Sequence, residues 1–158
     1  MNFPNGSILD VGCGMGTLSD YINNEQRPKY LGLDISKEAV RIARTKRPGL
    51  AFKVANCESF VPRNKFDVVV FNEMLYYTDH LETMKHYIKF LSPNGIFVIS
   101  IWYSKKVEYL KNSIFADADK LFPKLSLGSI QVSGTTNKQG YSMAVSSHIE
   151  AYRANPST

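Results

Sequence analysis

Ser7-Ile8-Leu9-Asp10-Val11-Gly12-Cys13-Gly14-Met15-Gly16-Thr17 is the stretch that decides the fold. Ile8, Leu9 and Val11 are apolar and partly β-branched, the composition of a strand buried on both faces. Asp10 is the one charge in that strand and stands one residue before its end. Gly12, Gly14 and Gly16 follow at every second position. Glycine belongs where the backbone takes positive φ or where a ligand lies against the main chain. Thr17 and Leu18 open a pattern that predicts a helix from about Thr17 to Asn24. Strand, glycine turn and helix in this order mark the carboxyl edge of a parallel sheet, where open α/β sheets hold nucleotide-like ligands.

A dinucleotide-binding turn reads G-x-G-x-x-G, and Thr17 occupies the position of its third glycine. The glycines run G-x-G-x-G instead, with an acid two residues before the first. D-x-G-x-G-x-G behind an apolar strand resembles motif I of the class I S-adenosylmethionine-dependent methyltransferases. The resemblance implies an α/β, Rossmann-like doubly wound sheet of seven strands, in the order 3-2-1-4-5-7-6 with strand 7 antiparallel. A glycine-rich turn without a ligand is the plainer alternative.

Tyr30–Asp34 reads as the second strand, again ending in an acid. A carboxylate there can accept hydrogen bonds from both ribose hydroxyls, and a charged acceptor makes the stronger bonds. The alternative, a helix cap, is a role that Ser36 already fills for a helix over Lys37–Thr45. Ala39, Val40, Ile42 and Ala43 form its apolar stripe, and Pro48-Gly49 stops it. Leu50–Ala55 is the third strand, followed by Asn56-Cys57-Glu58. The family commonly carries an acid at the Asn56 position that holds the adenine amino group. The asparagine oxygen can still accept from an amine, and a turn asparagine is the other reading.

Lys65–Phe71 reads as the fourth strand and leads into Asn72-Glu73-Met74-Leu75-Tyr76-Tyr77. This loop lies beside the first strand across the switch crevice, where residues facing a transferred methyl group are expected. Tyr77 stands where many small-molecule members of the family carry a histidine base. The adjacent tyrosines resemble N-methyltransferases of the nodulation family. A tyrosine of pKa ~10 is a poor base for a hydroxyl acceptor, but aromatic faces and hydroxyls suit an amine. Glu73 and His80 are the other bases nearby, and packing over the cofactor is the alternative for both tyrosines.

His80–Leu91 is predicted as a helix, with Leu81, Met84, Ile88 and Leu91 at core spacing and His86 on its surface. Ser92–Gly95 reads as a turn and Ile96–Ile101 as the fifth strand. Trp102 and Tyr103 come out on the same edge as the site, as pocket lining or as core. A helix over Lys105–Phe122 follows, then strands over Ser129–Thr135 and Tyr141–Glu150 joined by a polar hairpin connector. Ala151–Thr158 reads as a loose tail.

The 158 residues suit one domain over 1–158, with only six residues before the first strand and so no N-terminal lid. A hydrophobic content of 44% against 21% charged excludes a disordered chain. No apolar run approaches the ~20 residues of a membrane span, and no basic-then-apolar leader opens the chain. Cys13 and Cys57 have neither zinc nor redox spacing, which points to thiols in a reducing cytoplasm. The net charge is +5. Much of the basic charge lies in two segments, Lys37, Arg41, Arg44, Lys46 and Arg47, then Lys105, Lys106 and Lys111, which fall at expected helices. These read as solvated faces, since no interleaved aromatics or nucleic-acid module accompany them.

The resemblance implies S-adenosylmethionine as cofactor and S-adenosylhomocysteine as product, and no His/Asp/Glu cluster has the ligand spacing of a metal site. Gly12, Cys13 and Gly14 would border the methionine end, Asp10 its amino group, Asp34 the ribose, and Asn56 with Cys57 the adenine. Gly16, Ile35, Glu58 and Asn72 complete the implied cofactor set. Tyr77, Glu73 and Tyr76 form the implied catalytic set. The activity implied is N- or O-methylation of a small-molecule acceptor. Methylation of RNA or protein, and a non-catalytic partner subunit that binds the cofactor, are the alternatives. The short N-terminus leaves three expectations for the acceptor site: open, closed by a second copy or a partner subunit, or covered by the segment over 102–127.

Overall fold

The computed structural model describes residues 5–103, 108–121, 130–138 and 141–153. Its strands are β1 (Ile8–Val11), β2 (Tyr30–Asp34), β3 (Ala51–Val54), β4 (Phe66–Asn72), β5 (Leu91–Tyr103), β6 (Ile130–Lys138) and β7 (Tyr141–Arg153). Three α-helices are described: α1 (Lys37–Lys46), α2 (His80–Ile88) and α3 (Glu108–Leu121). β1 pairs in parallel with β2 on one side and β4 on the other, β2 with β3, and β4 with β5. β7 runs antiparallel to β5, and β6 antiparallel to β7. The hydrogen-bonded order is β3-β2-β1-β4-β5-β7-β6. The order reverses beside β1, so the crevice above its carboxyl end is the switch point.

Alternation along the strands splits the core into two layers. Leu9, Val11, Val69 and Phe71 face a cluster that includes Met84 and Tyr87 of α2 and Ile114, Phe115 and Ala118 of α3. Ile8 and Val70 face the other way, onto Tyr30, Phe52 and the Val40 and Ala43 stripe of α1. Leu9, Val11, Leu33 and Phe71 are wholly buried. Ser36 caps α1, its Oγ accepting from Ala39 N at 3.2 Å. Asp79 caps α2, its Oδ1 accepting from Glu82 N at 3.1 Å.

Several boundaries differ from the sequence reading. Thr17–Asn24 is not an α-helix: Thr17–Asp20 forms one 3-10 turn and Arg27–Lys29 another. Gly16 enters the first turn at φ 82 with no side-chain cap. Asn23 and Gln26 then take each other's backbone N–H groups at 2.9 and 3.1 Å, a local pairing that competes with a helix. α2 stops at Ile88, because Leu91 pairs with Phe66 and opens β5. The register then jumps to Val68 opposite Ile96, so Ser92–Gly95 loops out within the strand, with Asn94 at φ 68. β7 continues through Ala151, Tyr152 and Arg153, which were expected in the tail, and Tyr152 is wholly buried. The lead-in over 1–4, the connector residues 139–140 and the rest of the tail lie outside the described residues.

Candidate active site

β1 delivers the glycine turn to the switch point. Gly12 N and Cys13 N both donate to Leu33 O at 2.8 Å, which fastens the turn to the end of β2. Gly12 has φ 78, and a Cβ there would stand 2.7 Å from Cβ of Met74. Only a glycine fits this close approach. Gly16 has φ 82, and its Cβ would meet the Phe52 ring at 2.8 Å, so it serves packing against β3 and not the crevice. Gly14 has nothing within 4 Å of its Cβ position. Its N–H donates to Asp34 Oδ2 at 2.8 Å, and Ser36 N donates to Asp34 Oδ1 at 2.8 Å. Each carboxylate oxygen of Asp34 is thus held by one backbone donor and keeps a further lone pair.

A cavity of about 400 Å³ opens here, lined by Gly12, Leu33, Asp34, Ile35, Ala55, Asn56, Cys57, Glu58, Glu73, Met74, Tyr77 and Thr78. The volume falls in the range of small-molecule and cofactor sites, roughly 300–1,000 Å³. Of the expected cofactor residues, Gly12, Asp34, Ile35, Asn56, Cys57 and Glu58 meet in it. Ile35 is 71% exposed, an aliphatic side chain standing free at the cavity wall. Asn56 Oδ1 accepts from Glu58 N at 2.9 Å, forming a turn and leaving a second lone pair. Burial pushes the Cys57 thiol above its ordinary pKa, with the Glu58 charge adding to it.

Four expected cofactor residues besides Gly16 are not among those lining the cavity. Cys13 is buried, and Gly14 meets the site through Asp34. Asn72 ends β4 exposed to solvent. Asp10 lies beneath the turn at 1% exposure. Tyr30 OH donates to its Oδ2 at 2.7 Å, while its Oδ1 has no partner. Burial pushes the Asp10 carboxyl up to about 6, against the Tyr30 hydrogen bond and aided by the Asp34 charge. An orphaned buried carboxylate oxygen below a glycine turn fits a cationic group seated on that turn.

On the other wall, Glu73 and Tyr77 line the cavity and Tyr76 packs edge-on against Tyr77, ring centres 4.6 Å apart. Tyr77 is 79% exposed. Burial, with the Glu73 charge, raises the Tyr76 hydroxyl above its ordinary pKa. Glu73 accepts from Ser100 Oγ at 2.5 Å, from Tyr76 OH at 3.3 Å and from Trp102 N. His80 does not reach the cavity: its Nε2 meets Asp117 Oδ2 at 3.2 Å and ties α2 to α3. His86, expected on the surface, is half-buried with Nε2 2.8 Å from Phe60 O. The side chain of Tyr103 and residues 104–107 and 122–127 lie outside the described residues. Leu33, Ala55, Met74 and Thr78 were not foreseen as lining. Met74 and Thr78 stand in the segment after β4, and Met74 packs on Gly12 at the crevice.

The family model described as Methyltransferase domain matches residues 2–144. The chain belongs to the methyltransferase-domain family. Among relatives of this methyltransferase-domain chain, human "Arginine-hydroxylase NDUFAF5, mitochondrial" is 35% identical over 103 residues, 61% of this chain and 28% of that protein. Phosphoethanolamine N-methyltransferase 1 of Arabidopsis thaliana is 31% identical over 103 residues, 61% of this chain and 21% of that protein. The matched stretch therefore spans less than a third of either relative. The N-methyltransferase NodS of Bradyrhizobium japonicum WM9, solved with S-adenosyl-L-homocysteine, has the same fold. Its TM-score is 0.74 over 94% of this chain and 78% of that one, at 15% identity. No helix among the described residues is long and apolar enough to cross a membrane.

Proposed function

We propose that this protein is an S-adenosylmethionine-dependent methyltransferase acting on a small-molecule acceptor. The observation that carries the reading is Asp34, whose carboxylate is fixed by Gly14 N and Ser36 N at the lip of the cavity. Its free lone pairs suit the two ribose hydroxyls. The exposed Ile35 suits one face of the purine, and Asn56 and Cys57 its amino edge. Gly12 and Gly14 suit the methionine end, with Asp10 compensating its ammonium from below. The seven-strand order 3-2-1-4-5-7-6 with strand 7 antiparallel belongs to this reading, supported by the pairings of β6 and β7. When bound, the cofactor supplies a methyl group on sulfonium for in-line displacement. The chain's own work is alignment and exclusion of water, which carries most of such a transfer. Tyr77 and Tyr76 offer the acceptor an aromatic wall and two hydroxyls. The phosphoethanolamine N-methyltransferase relative supports a small acceptor. Both cysteines are free thiols, which supports a reducing, cytoplasmic setting.

The hydroxylase name of the human relative favours a second reading, a domain that binds the cofactor without transferring its methyl group. Calorimetry with S-adenosylmethionine, and with NAD as control, tests the first step. Micromolar binding of the methyl donor alone is expected, and no binding overturns both readings. Release of S-adenosylhomocysteine over a panel of amines and sugars separates transfer from binding alone. Asp34→Ala is expected to weaken binding by about 1–3 kcal/mol, the loss of two charge-assisted bonds. Unchanged affinity would remove Asp34 from the ribose role.

A further inference from the structure

We propose that Glu73 is a positioning residue whose carboxylate staples the loop after β4 to the carboxyl end of β5, and so holds Met74 and the tyrosine pair against the cofactor turn. The proposal rests on the reading of the cavity as the S-adenosylmethionine site. By residue type and place Glu73 is also a candidate proton acceptor, and the geometry argues against that role. A carboxylate has about four lone-pair sites. Three of those on Glu73 already receive Ser100 Oγ, Trp102 N and Tyr76 OH. Its main-chain N–H donates to Ser100 O at 2.9 Å, so one residue grips Ser100 by both backbone and side chain.

Glu73 also stands at φ 57, in the left-handed region. That conformation costs a non-glycine residue roughly 1–2 kcal/mol, and three hydrogen bonds to an ion more than offset it. The kink turns the chain sharply at the end of β4. The next residue, Met74, is thereby laid on Gly12, 7% exposed, where even a methyl group on the glycine would collide with it. Tyr77 N donates to Met74 O at 3.0 Å and closes the short 3-10 turn that carries both tyrosine rings. The line of force runs from β5 through Glu73 and Met74 to the glycine turn. Loosening the staple should therefore be felt in cofactor affinity beyond the charge that Glu73 lends the cavity, and Ser100→Ala, which keeps that charge, is the variant that separates the two.

A proton acceptor makes the opposite prediction: its loss stops turnover and leaves cofactor affinity alone. A residue of purely structural value lowers the melting temperature and leaves the affinity of the folded protein alone. The test is calorimetry with S-adenosylmethionine on the wild type, Glu73→Gln, Glu73→Gly, Ser100→Ala and the Glu73→Gln/Ser100→Ala double variant. Gln turns one acceptor into a donor facing the Trp102 or Ser100 donor. Gly accepts φ 57 without strain while deleting the staple, so it keeps the fold testable if Gln does not fold. Each single variant is expected to bind about tenfold more weakly, and the double variant no more weakly than Glu73→Gln. Hydrogen exchange at the Trp102 amide is expected to quicken in the Glu73 variants, and the emission of this residue, the chain's one tryptophan, to shift. Unchanged affinity in Glu73→Gln and Glu73→Gly overturns the proposal. If the wild type does not bind S-adenosylmethionine, the cofactor reading fails first. The Trp102 amide then still judges the staple, and unchanged exchange in both Glu73 variants overturns it.

Discussion

Among the described residues Asp10 is the carboxylate that the fold buries. Its side chain is 1% exposed, one oxygen is held by Tyr30 OH and the other has no partner. Burial raises its pKa from 3.8 to about 6. The folded protein therefore binds the proton more tightly than the unfolded chain. Stability contributed below about pH 4 is lost as pH rises through about 6, on the order of 3 kcal/mol in all. Asp10→Asn keeps the shape and the Tyr30 bond but has no charge to desolvate. Urea unfolding should find it more stable than wild type at pH 8 and no more stable at pH 4. Equal stability at pH 8 would mean that the cost of the buried charge is met elsewhere. S-adenosylmethionine should narrow the gap, since its ammonium would compensate the wild-type carboxylate and not the amide. The acid itself is plain in the sequence, two residues before the first glycine. Its burial partner is not, because Tyr30 reaches it only through the parallel register that sets Ile8 beside Tyr30 and Asp10 beside Gly32.

At the scale of elements, the glycine turn is held from behind by α1. Arg47, the residue that ends α1, donates through Nε and Nη2 to Asp20 at 2.7 and 2.5 Å and through Nη1 to Met15 O at 2.7 Å. Its side chain is only 12% exposed. Planar, three-point contact of this kind is specific to guanidinium. Arg47→Lys should keep one contact at most and Arg47→Met none. Amide exchange over 14–20 is expected to quicken in that order, with affinity for S-adenosylmethionine falling in step. Protection equal to wild type in Arg47→Met would show that Phe52 packing on Gly16 holds the turn unaided. In the sequence Arg47 reads as part of a solvated basic face, because its separation of 27 positions from Asp20 hides the pairing. The strands were far more legible: β1, β2 and β4 are short, mostly apolar runs that close on Val11, Asp34 and Asn72. The first helix was not, since a helical apolar pattern cannot register that Gly16 opens it without a cap and that Asn23 and Gln26 satisfy each other.

Over the whole molecule the charge is uneven in a way that composition conceals. The chain carries a net +5, yet the described cavity lining holds Asp34, Glu58 and Glu73 and no Lys, Arg or His. Arg41, Arg44 and Arg47, which dominate the basic segment, are committed to Glu38, to Phe52 O and to Asp20. A cleft lined by one sign of charge focuses its field and favours a ligand of the other sign. S-adenosylmethionine carries a sulfonium charge that S-adenosylhomocysteine lacks, and the two are otherwise nearly the same shape. The protein should therefore bind the donor more tightly than the product at low salt. Raising salt from about 0.1 M to about 1 M shortens the Debye length from about 10 Å to about 3 Å. Donor affinity should fall several-fold over that range while product affinity stays nearly level, as measured by calorimetry on the same preparation. Parallel salt dependence for the two ligands would place the sulfonium out of reach of these carboxylates. It would leave Asp34 with a ribose role alone.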